Sequence, residues 1–159
     1  MTAALLVLLL MLDTTPRQVQ VSAAVTSKPV TACTAVTRAD VELALGRKFG
    51  RGAEENSNGS STCGYTAGGG LVTVTMQHMG AAPDLDQEKR SLQAEFPGST
   101  LRAASLSGAE AFFVDLQGQG TLLYAIRGGR DYVMVAILGC GEPAAVSGAA
   151  IRLARTALR

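Results

Sequence analysis

Three strand-like runs in the C-terminal half of the chain are separated by almost nothing. Ala111 to Gln117, Thr121 to Arg127 and Asp131 to Leu138 are joined only by Gly118-Gln119-Gly120 and by the Gly128-Gly129 junction. Parallel neighbours need a crossover of about a dozen residues or more, so connections this short permit only antiparallel hairpins. Arg127-Gly128-Gly129-Arg130 is the strongest turn signal in the sequence. Glycine accepts the positive φ values of a tight hairpin turn without a steric penalty. Whatever else the chain forms, it is expected to contain an antiparallel sheet.

The segments upstream add to that sheet and cover it. Cys63-Gly64-Tyr65-Thr66, then Gly68-Gly69-Gly70, then the alternating run Leu71 to Gln77 read as a hairpin with Val72, Val74 and Met76 facing inward. A short strand near Thr100 to Ala104 precedes the C-terminal three. Thr37 is placed to cap a helix carrying Val41, Ala44 and Leu45 on one face, with Gly46 as its C′ residue. Asp84 to Phe96 reads as a polar surface helix, opened by Asp84 with Gln87 at capping-box spacing and stopped by Pro97-Gly98. From Pro143, an amphipathic helix gathers Val146, Ala150, Leu153, Ala154, Ala157 and Leu158 on one face and turns Arg152, Arg155 and Arg159 away. Arg51 to Ser61 has no apolar period and reads as a mobile loop; its Asn58-Gly59-Ser60 sequon reads as a turn rather than a glycosylation site. The expected fold is α+β: an antiparallel sheet of about five to six strands, with N-terminal, middle and C-terminal helices packed mainly on one face.

The N-terminal third bears on compartment. Ala3 to Leu12 is apolar, with the length of a signal-peptide core, and too short to cross a bilayer as a helix. Val21-Ser22-Ala23 supplies small residues for cleavage, although no basic side chain precedes the apolar run. The expected organisation is a signal peptide over 1–23, a polar linker over 24–32 and one domain over 33–159, with no integral span in the mature chain. Val30-Thr31-Ala32-Cys33 imitates a lipoprotein processing site but stands too far from the apolar core to serve as one. Secretion or residence in the cell envelope follows. In such an oxidising compartment the three cysteines allow one disulfide, chosen from three pairings, with one thiol left over.

Composition narrows the function without naming it. Fourteen Lys and Arg stand against thirteen Asp and Glu, which gives no electrostatic case for nucleic acid or an anionic membrane. The core must be built largely from aliphatic residues, because the chain has no Trp. His78 is the only histidine, and with no second imidazole or carboxylate cluster in sequence it makes a poor metal site; it reads as a partly buried strand-end residue. Asp84, Asp86 and Glu88 read as acids favoured at a helix N-terminus. Arg127 and Arg130, and the Arg152, Arg155 and Arg159 face, read as solvated surface. Cys140 carries the sharpest chemical alternative, since Leu138-Gly139-Cys140-Gly141-Glu142-Pro143 sets a thiol between glycines just before a helix. A helix N-terminus lowers a thiol pKa, and a nearby His78 would complete a nucleophile–base pair. Glu142 works against that thiolate, no orienting third residue is evident, and neither a Gly-x-Ser-x-Gly frame nor a phosphate-binding glycine loop is present.

The Cys33-Thr34-Ala35-Val36-Thr37-Arg38-Ala39-Asp40-Val41 start, the Leu45-Gly46 helix end, Cys63-Gly64-Tyr65 and the terminal Ala/Leu helix together resemble a group of small secreted proteins and lipoproteins of actinobacterial type, some with a PsbP-like α/β fold. The resemblance implies a fold and an envelope location and transfers no catalytic residue. Cys140 and the displaced lipid-site imitation depart from the group's pattern. Its cysteine spacing favours Cys33–Cys63, a pairing that would tie the first helix to the first strand across the 51–61 segment; Cys63–Cys140 and Cys33–Cys140 are the alternatives. The function expected is an extracytoplasmic, non-enzymatic module without cofactor or metal. It would bind an envelope protein or small ligand, of undetermined oligomeric state, through its sheet face, hairpin tips or 51–61 loop. The alternative is a thiol-dependent enzyme or redox protein using Cys140 with His78.

Overall fold

A computed structural model describes residues 31–159. The expected signal peptide, its cleavage site and linker residues 24–30 lie outside the described residues. Helices α1 (Ala32–Ala35) and α2 (Arg38–Leu45) lead into strands β1 (Ala53–Ser57), β2 (Ser60–Ala67) and β3 (Gly70–His78). Helix α3 (Leu85–Glu95) follows, then β4 (Thr100–Ala103), β5 (Ala109–Leu116), β6 (Gly120–Arg127), β7 (Asp131–Leu138) and α4 (Pro143–Ala157). The strands form one seven-stranded sheet in the order β1-β2-β3-β7-β6-β5-β4, and every neighbouring pair is antiparallel.

Local chemistry sets the element ends. The Thr37 side chain accepts from the Asp40 N–H while the Asp40 carboxylate accepts from the Thr37 N–H at 2.8 Å, a reciprocal cap on α2. Asp84 Oδ1 accepts the Asp86 and Gln87 N–H groups, each at 3.0 Å, and so opens α3. At the β6–β7 junction, Gly128 and Gly129 have φ of 59° and 69°, the left-handed geometry that the tight connection requires.

Two expectations about the fold are corrected. The 51–61 segment is not a loop but most of a hairpin: Asn58 and Gly59, with φ of 48° and 78°, turn β1 into β2. β1 is an edge strand exposed along its whole length, so no alternation of apolar residues marks it; the Asn-Gly turn was its only signal. It is the strand that raises the expected five or six to seven. The second correction concerns helix placement. α1, α2 and α4 cover one face, where Val74, Leu123, Val135 and Ile137 meet Val41, Ala150 and Leu153. α3 covers the opposite face instead, its Leu92 packed with Phe112, Val114, Leu122 and Tyr124. β6, buried along almost its full length, requires cover on both sides.

Cys33 and Cys63 form a disulfide with their Cα atoms 5.0 Å apart, which fastens α1 to β2. Beside it the Tyr65 hydroxyl donates to the Val36 carbonyl and the Ala32 N–H donates to Ser61 Oγ at 2.8 Å. Ala32, the last residue of the expected linker, is fully buried within α1. Arg152, expected to point away, donates to the Ala44 carbonyl at 2.6 Å and locks α4 to the end of α2.

Candidate functional site

Opposite side chains on antiparallel strands share a face, so register decides which polar groups meet. β3 and β7 align His78 with Asp131, and β6 and β7 align Arg127 with the same Asp131. His78 Nδ1 lies 3.0 Å from Asp131 Oδ1, and an Arg127 Nη2 donor lies 3.4 Å from Asp131 Oδ2. The hydrogen bond from His78 holds the Asp131 carboxyl below its ordinary range against a small opposing effect of burial, and Arg127 adds to the lowering. His78 is not the partly buried residue expected: its side chain, on the last residue of β3, is 70% exposed.

These three side chains stand on the wall of a groove of ≈ 770 Å³. The β1–β2 turn from Asn56 to Ser61 forms one bank, and the last turn of α4 with Leu158 and Arg159 forms another. Met76, Val133, Ala157 and Leu158 contribute apolar surface; His78, Arg127, Asp131 and Asn56 contribute polar groups. The groove exists because the 51–61 segment, expected to be a loop, supplies β1 and the turn into β2, a hairpin that stands beside the end of α4. With Nδ1 engaged by Asp131, His78 keeps Nε2 for a ligand or a proton. No hydroxyl of the described residues lies within hydrogen-bond distance of the imidazole, so the pair lacks a nucleophile.

Cys140 is elsewhere. It follows β7 beside the start of β3, so close to Gly70 that a Cβ there would stand 2.6 Å from its Sγ. His78 is at the other end of β3, eight residues along the strand from Gly70, roughly 27 Å away at the usual strand rise. The two cannot act on one substrate atom. Burial pushes the Cys140 thiol up from its ordinary pKa, partly opposed by Arg47 and by a backbone hydrogen bond from Leu71, the opposite direction from the lowering that the thiol-enzyme alternative requires. Its neighbour Glu142 is the N-cap residue of α4 but makes no side-chain cap.

The acidic trio at α3 is divided between local tasks. Asp84 caps the helix, and Asp86 accepts from Lys89 at 3.4 Å. Glu88 faces inward toward the sheet and makes no hydrogen bond or ion pair with any described residue. Among the described residues no group of three or more His, Cys, Asp or Glu side chains is placed to hold a metal ion, and no helix is long and apolar enough to cross a membrane. No protein-family model, curated protein or solved structure matches the chain.

The His78–Asp131–Arg127 cluster was invisible in the sequence, since His78 and Asp131 are 53 positions apart and only the β3–β7 register joins them. Arg127 and Asp131 alone were accessible to sequence reasoning, as the two ends of the glycine turn.

Proposed function

We propose that this chain is an extracytoplasmic binding module, without catalytic activity of its own, that takes a small ligand in the groove between the β1–β2 turn and the end of α4. The groove carries the proposal: its ≈ 770 Å³ falls within the usual range of ligand sites, and apolar surface is combined there with a few convergent polar groups. Arg127 and the free edge of His78 would receive an anionic or hydroxyl group of the ligand, while Met76, Val133 and Leu158 would contact its apolar part. A disulfide between Cys33 and Cys63 is compatible with export, as is the apolar segment at the start of the sequence. The groove's walls are strands of the sheet, the β1–β2 turn and the end of α4.

Backbone-amide NMR titration with octanoate, an amphiphilic anion, tests the site. Saturable shifts are expected at Ser57–Ser61, Met76–His78 and Asp131–Val133, weakened in Arg127→Gln. Shifts confined to other residues, or none, would refute the assignment of this groove.

A further inference from the structure

On the opposite face of the sheet, beneath α3, a second and smaller hollow of ≈ 250 Å³ is walled by Phe112, Tyr124 and Tyr132, with Leu85, Pro83 and Glu88 closing it from the α3 side. Register builds this wall. β5 and β6 align Phe112 with Tyr124, whose rings stack with centroids 5.2 Å apart and planes inclined by 4°. β6 and β7 align Ile126 with Tyr132, which brings the Tyr132 ring diagonally against Tyr124, centroids 6.0 Å apart and tilted by 58°. Three aromatic rings thus converge on one small space.

Its one charged lining residue is acidic. No basic side chain lines the hollow, and Glu88, half-buried on its rim, has no partner among the described residues. Tyr124 is only 5% exposed, and neither its hydroxyl nor that of Tyr132 makes a hydrogen bond to a described residue. Burial pushes the Tyr124 phenol up to about 12, with Glu88 and Glu95 adding to it, and burial with Tyr124 and Glu88 raises Tyr132 as well. The Glu88 carboxylate therefore acts on both phenols. The same wall already accepts a cation from within the chain, since the Lys89 ammonium stands 5.5 Å from the Phe112 ring centroid.

We infer that the Phe112–Tyr124–Tyr132 hollow is a binding site for a small organic cation, a quaternary or methylated ammonium group held against the ring faces with Glu88 as its counter-charge. Aromatic faces attract such cations through their quadrupoles, most strongly where water is excluded. A bare metal ion would find only one carboxylate here. An anionic ligand would meet Glu88 among the lining residues, with the Lys89 ammonium the nearest base, 5.5 Å from the Phe112 ring. The hollow opens beneath α3 and shares Gln77 and Tyr132 with the groove, while Phe112, Tyr124 and Glu88 line it alone.

NMR titration of the full folded domain with choline chloride, and with 3,3-dimethylbutan-1-ol as its uncharged isostere, tests the inference at constant ionic strength. Choline is expected to shift the ring protons of Phe112, Tyr124 and Tyr132 saturably and to bind at least about tenfold more tightly than the isostere. Glu88→Gln, on an exposed helix whose fold its amide spectrum reports, should weaken choline several-fold and leave the isostere unchanged. Tyr132→Phe keeps the ring and should keep binding. Equal affinity for choline and the isostere would reduce the hollow to an apolar gap, and absence of shifts at the three rings would remove the site. Choline affinity unmoved by Glu88→Gln would overturn the assigned counter-charge.

Discussion

The Cys33–Cys63 bond should supply a large part of this domain's stability. The two residues are separated by 30 positions, and the segment they enclose contains α2 and the exposed edge strand β1. In the chain-entropy model, closing a loop of that length removes about 3.6 kcal/mol of freedom from the unfolded ensemble at 25 °C. Total stabilities of small domains run only about 5–15 kcal/mol, so the bond's loss would leave a marginal fold. Neighbouring contacts survive reduction, among them the Tyr65 hydroxyl on Val36 and the Ala32 N–H on Ser61. They order the folded state and do nothing to restrict the unfolded chain, so they do not replace the cross-link. Differential scanning calorimetry with and without a phosphine reductant should show the melting temperature falling by roughly 10 °C, at about 3 °C per kcal/mol for a domain of this size. Cys33→Ala/Cys63→Ala should fall at least as far, because Cys63 is fully buried and its truncation adds a cavity. Reduced and oxidised proteins melting within about 2 °C of one another would refute the entropic account. A peptide map linking either residue to Cys140 would refute the pairing itself.

Two further outcomes follow from burial. Val74 is fully buried between Cys63 and Val135 in the sheet register; Val74→Asp should cost about 3 kcal/mol or more in denaturant titration, while Arg130→Ala, at an exposed turn, should stay within about 0.5 kcal/mol. Comparable losses for both would mean that the inward parity of β3 is wrong. For Cys140, burial raises the thiol pKa, so alkylation by iodoacetamide should be slow at neutral pH and accelerate only as pH rises past the ordinary thiol range. Rapid labelling at pH 7 would instead restore the case for a reactive thiol.

Much of the architecture is written locally. The Thr37 and Asp84 caps, the Gly46 helix end, the Gly128-Gly129 turn and the apolar stripe of α4 each depend on residues within a few positions of one another. Short-range hydrogen bonds and backbone sterics decide such features, and they were legible before any tertiary contact was considered. β1 was not, because an edge strand exposed to water needs no apolar alternation and draws its order from the hydrogen bonds that β2 supplies. The placement of α3 was not legible either, since its narrow Leu85–Leu92–Phe96 stripe fits either face of a sheet. Only the burial of β5 and β6 on both sides decides it.

Both candidate sites belong to this second class. β7 enters the sheet between β3 and β6, although β3 and β7 are separated in sequence by a helix and three strands. That insertion sets His78 against Asp131 and, through the β6–β7 register, Tyr132 against Tyr124. The sequence by itself determined most of the helices and strands and where most of the turns fall, with β1 the exception, because those choices are settled by neighbours along the chain. Which side chains meet was decided only by the tertiary structure, because strand order and register come from burying two apolar faces at once, a condition on the whole sheet that no local stretch of residues expresses.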